Sequence, residues 1–317
     1  MKKLLLPIGG KEYIFAPIVD TSHIVDLFVR ALSRCIDYLL HPQDLAGFIV
    51  GLKREYIRSC DFTGPTYEIL PLDCSMVEEG SDIPITKLNE FACHNPIFSS
   101  QTEINIRNCR CKVFSCEIIE YWLSSKKHDA CYQPFYPTWL ISSLIICLSA
   151  KLMGFSEIVD IGSGDARIPY CGAIAGMRGI SVELDDNLVD LQREIIRSTG
   201  VEFEILDGDA CKTNFEKMNL SRPMFLISGL PEHGEVLADA VISNLLQQEL
   251  LSSRIGFAVM GSHTMKKYAR DSSLFGWGRF IAQHNLHVLD CLTLPTMWTN
   301  EQCLDTPFIF SLLELKH

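Results

Sequence analysis

The segment EIVDIGSGDARI, running from Glu157 to Ile168, constrains this chain more than any other. An apolar strand pattern passes through Asp160, and Gly162 and Gly164 then allow a tight turn before a helical pattern begins near Asp165. Glycine accepts a positive φ and lets backbone approach a ligand, and a helix start offers unpaired N–H groups. The surrounding rhythm repeats this unit. A helix over residues 138–153 leads into the strand at 157–161. A strand at 179–183, a helix at 186–198, a strand at 201–206, a short helix at 211–218 and a strand at 224–228 follow. A helix at 235–250 and a strand at 255–260 complete the series. Alternation of this kind requires a mostly parallel sheet with helices on both faces. Two last strands, 286–292 and 308–313, have no helix between them and can pair antiparallel.

The first part of the chain has a different rhythm. Residues 11–18 read as a strand, and residues 22–40 carry apolar side chains at helical spacing behind Ser22 as N-cap. A second helix follows Pro42. Residues 73–89 are acidic, carry Gly80 and Pro84, and read as a loop. Residues 104–118 read as strands kinked near Asn108. Pro134 and Pro137 interrupt the chain between the two rhythms. The expected division is a smaller α+β domain over 1–132, for substrate or partner recognition, and an α/β domain over 133–317.

Charge and cysteine content narrow the classes. The formal net charge is −11, with −3 up to residue 135 and −8 beyond it. Neither half has the basic excess of a protein that binds nucleic acid by neutralising phosphates, so nucleic acid is disfavoured as a partner. Leu4 to Leu6 is too short an apolar run before Pro7 for a signal peptide. The longest apolar stretch, 139–150, contains three serines and is too short to cross a bilayer. A cytoplasmic chain without membrane contact is the expectation. Thirteen cysteines in a chain of this length argue against a disulfide framework. Cys93, His94, Cys109, Cys111 and Cys116 invite a zinc reading, but their spacing is no pair of C-x-x-C knuckles. In Cys109-Arg110-Cys111-Lys112-Val113 apolar and basic residues alternate as on a strand, so both thiols read as core side chains, and no metal is expected.

The sequence of the glycine turn bears on which ligand it would take. A dinucleotide fingerprint needs a third glycine where Arg167 stands. Asp165 adds a carboxylate that suits a cationic ligand better than a pyrophosphate. Residues 157–168 resemble motif I of class I S-adenosylmethionine-dependent methyltransferases. Glu183, in GISVELD, resembles the acid that holds the ribose diol there, and Asp209, in LDGDAC, the acid that accepts the adenine amino group, with Ala210 against the ring. Asp207 competes with Asp209 for that contact. The resemblance covers roughly residues 136–317 and implies a Rossmann-like seven-stranded methyltransferase sheet. GSGDARI is most similar to the GSGDGRI of the non-SET histone and archaeal-type protein lysine methyltransferases, and YPTW, from Tyr136 to Trp139, resembles a segment those proteins place before the cofactor site. This chain has Ala166 where that subgroup has glycine. The cofactor set implied is Asp160, Gly162, Ser163, Gly164, Asp165, Arg167, Glu183, Leu184, Asp209, Ala210 and Ser228, with S-adenosyl-L-methionine as the cofactor.

Methyl transfer needs an aligned nucleophile and, for an amine, loss of a proton. In this family the acceptor sits past the fourth strand, where this chain reads ISGLPEHGE, Ile227 to Glu235. Base-amine methyltransferases place an (Asn/Asp/Ser)-Pro-Pro-(Tyr/Phe) sequence there, which this chain lacks. NPIF, Asn95 to Phe98, is a partial look-alike in the other half. Glu232, His233 and Tyr136 are the candidates for acceptor contacts, with Ser262 and His263 behind them. A protein side chain, lysine first, or a small molecule is the expected acceptor. A non-catalytic S-adenosylmethionine-binding partner or sensor protein, and an aminopropyl transferase, remain as alternatives.

Overall fold

A computed structural model describes residues 5–8, 11–14, 41–59, 66–73, 84–116, 137–228, 231–248, 254–261, 277–295 and 305–313. The elements begin with a hairpin of β1 (Leu5–Ile8) and β2 (Lys11–Ile14), followed by α1 (Pro42–Ser59). Next come β3 (Thr66–Asp73), α2 (Ile85–His94), β4 (Phe98–Ile106) and β5 (Cys109–Cys116). The second half runs α3 (Leu140–Leu152), β6 (Glu157–Ile161), α4 (Arg167–Ile174), β7 (Arg178–Glu183), α5 (Asp186–Thr199) and β8 (Glu204–Asp207). It ends with β9 (Pro223–Ile227), α6 (Pro231–Leu246), β10 (Ile255–Met260), α7 (Trp277–Gln283), β11 (Leu286–Pro295) and β12 (Asp305–Leu313).

Seven strands form one sheet in the order β8-β7-β6-β9-β10-β12-β11. The first five are parallel, whereas β12 lies antiparallel between β10 and β11. This is the expected Rossmann-like seven-stranded arrangement with a reversed terminal hairpin. The period of two along each strand divides the core. Ile158, Met224, Leu226, Ala258 and Phe310 join one apolar cluster with α3 and α4. Their neighbours Val159, Phe225, Ile227, Phe257 and Ile309 join a second cluster with α6 and α7. Helices therefore cover both faces. At one point α4 touches the sheet so closely that a Cβ on Gly172 would lie 2.4 Å from the Ile158 side chain. Only glycine fits there.

A second sheet, β3-β5-β4, is antiparallel. β4 and β5 are joined by Arg107 and Asn108, both at positive φ, as a two-residue hairpin turn demands. The expected kink at Asn108 is this turn. Cys109, Cys111 and Cys116 are buried, and the Cys109 and Cys111 sulfurs lie 3.6 Å apart on one face. Residues of α1, α2 and this sheet share the first apolar cluster with α3 and α4.

The sequence reading differs from the structure in several places. The helix expected over 22–40 lies outside the described residues. Of the strand expected over 11–18, the described part is β2. The loop expected over 73–89 is overtaken by α2, whose Ile85, Leu88, Phe91 and Ala92 are buried at helical spacing. Pro84 had signalled a break, yet it stands just before the helix, where a missing N–H costs nothing. β3 was missed because Pro71 interrupts it. It is an edge strand whose register shifts between Pro71 and Asp73, which is where proline is tolerated. The short helix expected over 211–218 shrinks to a 3₁₀ turn, Glu216–Met218, closed by Asn219 at positive φ. Pro231 opens α6 rather than a turn, four residues earlier than the pattern suggested. No helix among the described residues is long and apolar enough to cross a membrane.

Candidate functional site

The carboxyl ends of β6 and β9 lie at the point where the strand order reverses direction, because β7 and β9 flank β6 on opposite sides. Open α/β sheets bind ligands at such a point. The turn after β6 lies over it. Gly162, Gly164 and Ala166 all have positive φ, at 69°, 59° and 61°. The turn is held from below by backbone bonds: Gly162 N and Ser163 N donate to Val182 O at 2.9 and 3.2 Å, and Ala166 N donates to Ser163 O at 3.0 Å. A Cβ at Gly162 would meet nothing within 4 Å, so that side of the turn is open.

Two carboxylates face the turn from neighbouring strands. Asp160, one residue before the end of β6, is almost fully buried. Its Oδ2 accepts from the Ser163 hydroxyl at 2.9 Å, while its Oδ1 is buried with no partner among the described residues. Burial pushes this carboxyl up to about 7, against the pull of the Ser163 hydroxyl and with the push of Glu183. Glu183, at the end of β7, accepts three backbone N–H groups. Gly164 N lies 2.7 Å from Oε2, and Leu184 N and Asp185 N lie 2.8 and 2.9 Å from Oε1. Burial also raises its pKa, and those three bonds oppose the rise. A carboxylate has about four lone-pair sites, so Glu183 clamps the turn and keeps room on Oε2 for one hydroxyl.

Asp165 and Arg167 lie underneath. Asp165 is fully buried and its carboxylate is taken up by Arg167, through Nε at 2.9 Å and Nη2 at 2.5 Å, and by Asn95 Nδ2 at 2.7 Å. The Arg167 guanidinium also bonds Thr138 O and meets Glu68 Oε2 at 3.4 Å. Burial pushes the Glu68 carboxyl up to about 7, although Arg167 pulls the other way, and Glu68 caps α3 through Leu140 N. Neither Asp165 nor Arg167 therefore presents a free polar atom to a ligand. Asn95 belongs to the NPIF look-alike. Its Oδ1 accepts Ile97 N at 3.1 Å and its Nδ2 is on Asp165, so both ends of this buried amide are engaged in holding the fold.

Asp209 stands beside Glu183, since Gly208 N donates to Glu183 O at 2.8 Å. Asp209 Oδ1 accepts Cys211 N at 2.9 Å and Oδ2 pairs with Lys212 at 2.9 Å, which with Cys211 N holds its pKa below the usual carboxylate range. Asp207 is half exposed, 3.6 Å from Arg193. Ala210 is buried, and Leu184 and Ser228 are half-buried at the ends of β7 and β9. Glu232 and His233 fall in the first turn of α6, with their side chains outside the described residues. Tyr136, Ser262 and His263 also lie outside them.

Sequence reasoning missed Gln192. This fully buried side chain accepts from Ser181 Oγ at 2.7 Å and donates to Gly164 O at 2.7 Å, fixing the turn from α5. The signal was present: Leu188, Val189, Gln192 and Ile195 form one helical stripe, and an amide in an apolar stripe needs a reason. Glu68 and Asn95 left no such trace. No group of three or more His, Cys, Asp or Glu among the described residues has metal-holding geometry.

No family model matches the chain, and no curated protein matches it. Solved structures do. An O-methyltransferase from Bacillus cereus in complex with SAH (S-adenosylhomocysteine) is 15% identical, with 57% of this chain and 84% of that chain covered at a TM-score of 0.41. The magnesium protoporphyrin IX methyltransferase of Synechocystis PCC 6803, with bound SAH, is 11% identical, with 55% and 82% covered at 0.38. An uncharacterized protein from Listeria monocytogenes serotype 4b is 13% identical, with 56% and 67% covered at 0.40. Likeness at this level carries neither substrate nor activity.

Proposed function

We propose that this protein binds S-adenosylmethionine at the turn after β6 and transfers its methyl group. The observation that supports the reading best is Asp160, whose buried Oδ1 has no described partner beneath a turn with an open side. Around that turn stand the carboxylates of Asp160 and Glu183, while Asp165 and the Arg167 guanidinium are taken up by each other and by Asn95, Glu68 and Thr138. A pyrophosphate would meet these carboxylates with no free cation beside them among the described residues. A ligand carrying an ammonium, a sulfonium and hydroxyl donors fits this donor set. The second carboxylate, Glu183, would accept a ribose hydroxyl on Oε2, and Asp209 with Ala210 would border the adenine.

When bound, the cofactor supplies an electrophilic methyl on sulfur. The chain's part is to hold it and to present an acceptor past β9. Glu232, His233 and Tyr136 are proposed for acceptor contacts, and an amine acceptor must lose its proton there before attack. We take the acceptor to be a protein side chain, lysine before others, or a small molecule. Residues 1–132 are proposed to help choose it.

A second reading rests on one observation. α6 begins at Pro231 with only three residues between it and the end of β9, which leaves a short segment for gripping an acceptor. On that reading the protein binds the cofactor without turnover. Calorimetric titration with S-adenosylmethionine and S-adenosylhomocysteine, with NAD as control, tests the shared part. Micromolar binding of the first two and none of NAD is expected, and NAD binding in their place would overturn it. Release of S-adenosylhomocysteine in the presence of acceptor pools then separates enzyme from binding protein.

A further inference from the structure

The glycine turn is gripped by parts of the chain far from it in sequence. Asp165, at its centre, is fully buried between Gly164 and Ala166, which both have positive φ. For alanine that conformation is strained, and it persists only where the surroundings fix it. What fixes it is the Asp165 carboxylate. Arg167 N donates to Oδ1 at 3.2 Å, and the Arg167 side chain and Asn95 Nδ2 take the rest. Asn95 ends α2, and Arg167 reaches on to Glu68 in β3. The rings of Phe91 and Phe98, from α2 and β4, lie 5.9 Å from the guanidinium carbon. Every polar member of this cluster is less than a tenth exposed. Lys87 of α2 adds an outer tie, donating to Thr199 O at the end of α5 at 3.3 Å.

We propose that Asn95 and Arg167 are positioning residues that set the shape of the glycine turn from the N-terminal sheet, so that residues 84–116 tune cofactor affinity without touching the cofactor. This rests on the S-adenosylmethionine reading of the site. Buried charged clusters contribute little net stability but can select one conformation among several. Here the conformation selected is the left-handed Ala166 that starts α4. Motion of the N-terminal sheet, on engaging an acceptor or a partner, then reaches the cofactor through Asp165.

The test uses the full-length chain and S-adenosylhomocysteine in a calorimeter. Asn95→Ala removes one of the two side chains that hold Asp165, and roughly tenfold weaker binding is expected. Adding Ala166→Gly supplies a residue that takes positive φ at no steric cost, and should restore most of the loss. A loss that Ala166→Gly does not restore would mean a general loosening of the fold and would overturn the proposal. So would unchanged affinity in Asn95→Ala. If the wild-type chain binds neither S-adenosylhomocysteine nor S-adenosylmethionine, the cofactor reading falls instead. Hydrogen exchange at amides 162–167 of the ligand-free protein then decides the positioning role. Faster exchange there in Asn95→Ala, with β9 unchanged, upholds it, and no local change overturns it.

Discussion

Asp160→Asn should make the ligand-free protein more stable and the ligand-bound protein harder to form. The carboxyl of Asp160 is raised from 3.8 to about 7 by burial. A folded-state value above the unfolded one means that stability is full below about pH 4. It falls as pH rises towards 7, and is level beyond. Over the whole shift the ionised group costs up to about 4 kcal/mol, at 1.36 kcal/mol per pH unit. Between pH 5 and pH 8 the wild type should lose about 3 kcal/mol that the asparagine variant keeps, because only the interval up to about 7 counts. Asparagine has nearly the same shape and can still accept from the Ser163 hydroxyl. Urea unfolding of both proteins without ligand, at pH 5 and pH 8, measures the two gaps. A gap between variant and wild type that is the same at both pH values would refute the argument, since Asp160 would then ionise in the fold at no cost. In the presence of saturating S-adenosylmethionine the gap at pH 8 should narrow. A charged hydrogen bond contributes about 1.5–3 kcal/mol, so the variant should bind roughly ten- to a hundredfold more weakly.

Three further outcomes follow from the site. Glu183→Ala orphans the N–H groups of Gly164, Leu184 and Asp185, so it should destabilise the ligand-free protein by about 1–3 kcal/mol and weaken S-adenosylhomocysteine binding; unchanged affinity by calorimetry would remove its ribose role. Asp209→Ala should weaken binding less than Glu183→Ala and relax selectivity among purine analogues of the cofactor, and equal discrimination would count against the adenine contact. Glu232→Gln should cut turnover and spare cofactor affinity, and full activity would retire it as the acceptor's base.

The second half was legible because its signals are local. Ile158, Val159 and Ile161 and the glycine turn behind them place β6, and the strand spacing places the sheet. The strand order then brings Asp160 and Glu183 to the carboxyl ends of adjacent parallel strands. Asp165 and Arg167 show where this ends. Their sequence position says cofactor loop, yet their side chains turn away into a cluster completed by Glu68 and Asn95. Those partners lie 99 and 70 residues away along the chain, and no periodicity connects such distant positions. Pro71 and Pro84 misled for a related reason. Proline excludes an element's interior, but β3 is an edge and α2 begins just after its proline, and only the finished sheet reveals the edge.

The position of β12 carries a consequence for how the protein is made. β12 is synthesised after both of its partners, yet it sits between them, pairing β10 on one side and β11 on the other. While residues 305–313 are still being added, β10 has an open edge and β11 has no neighbour. The row of unpaired N–H and C=O groups along Ile255–Met260 is then free to join any strand it meets, and every residue of that strand is apolar or glycine. A ribosome that stalls before β12 thus leaves an adhesive nascent chain, and prompt synthesis of β12 protects this protein from itself.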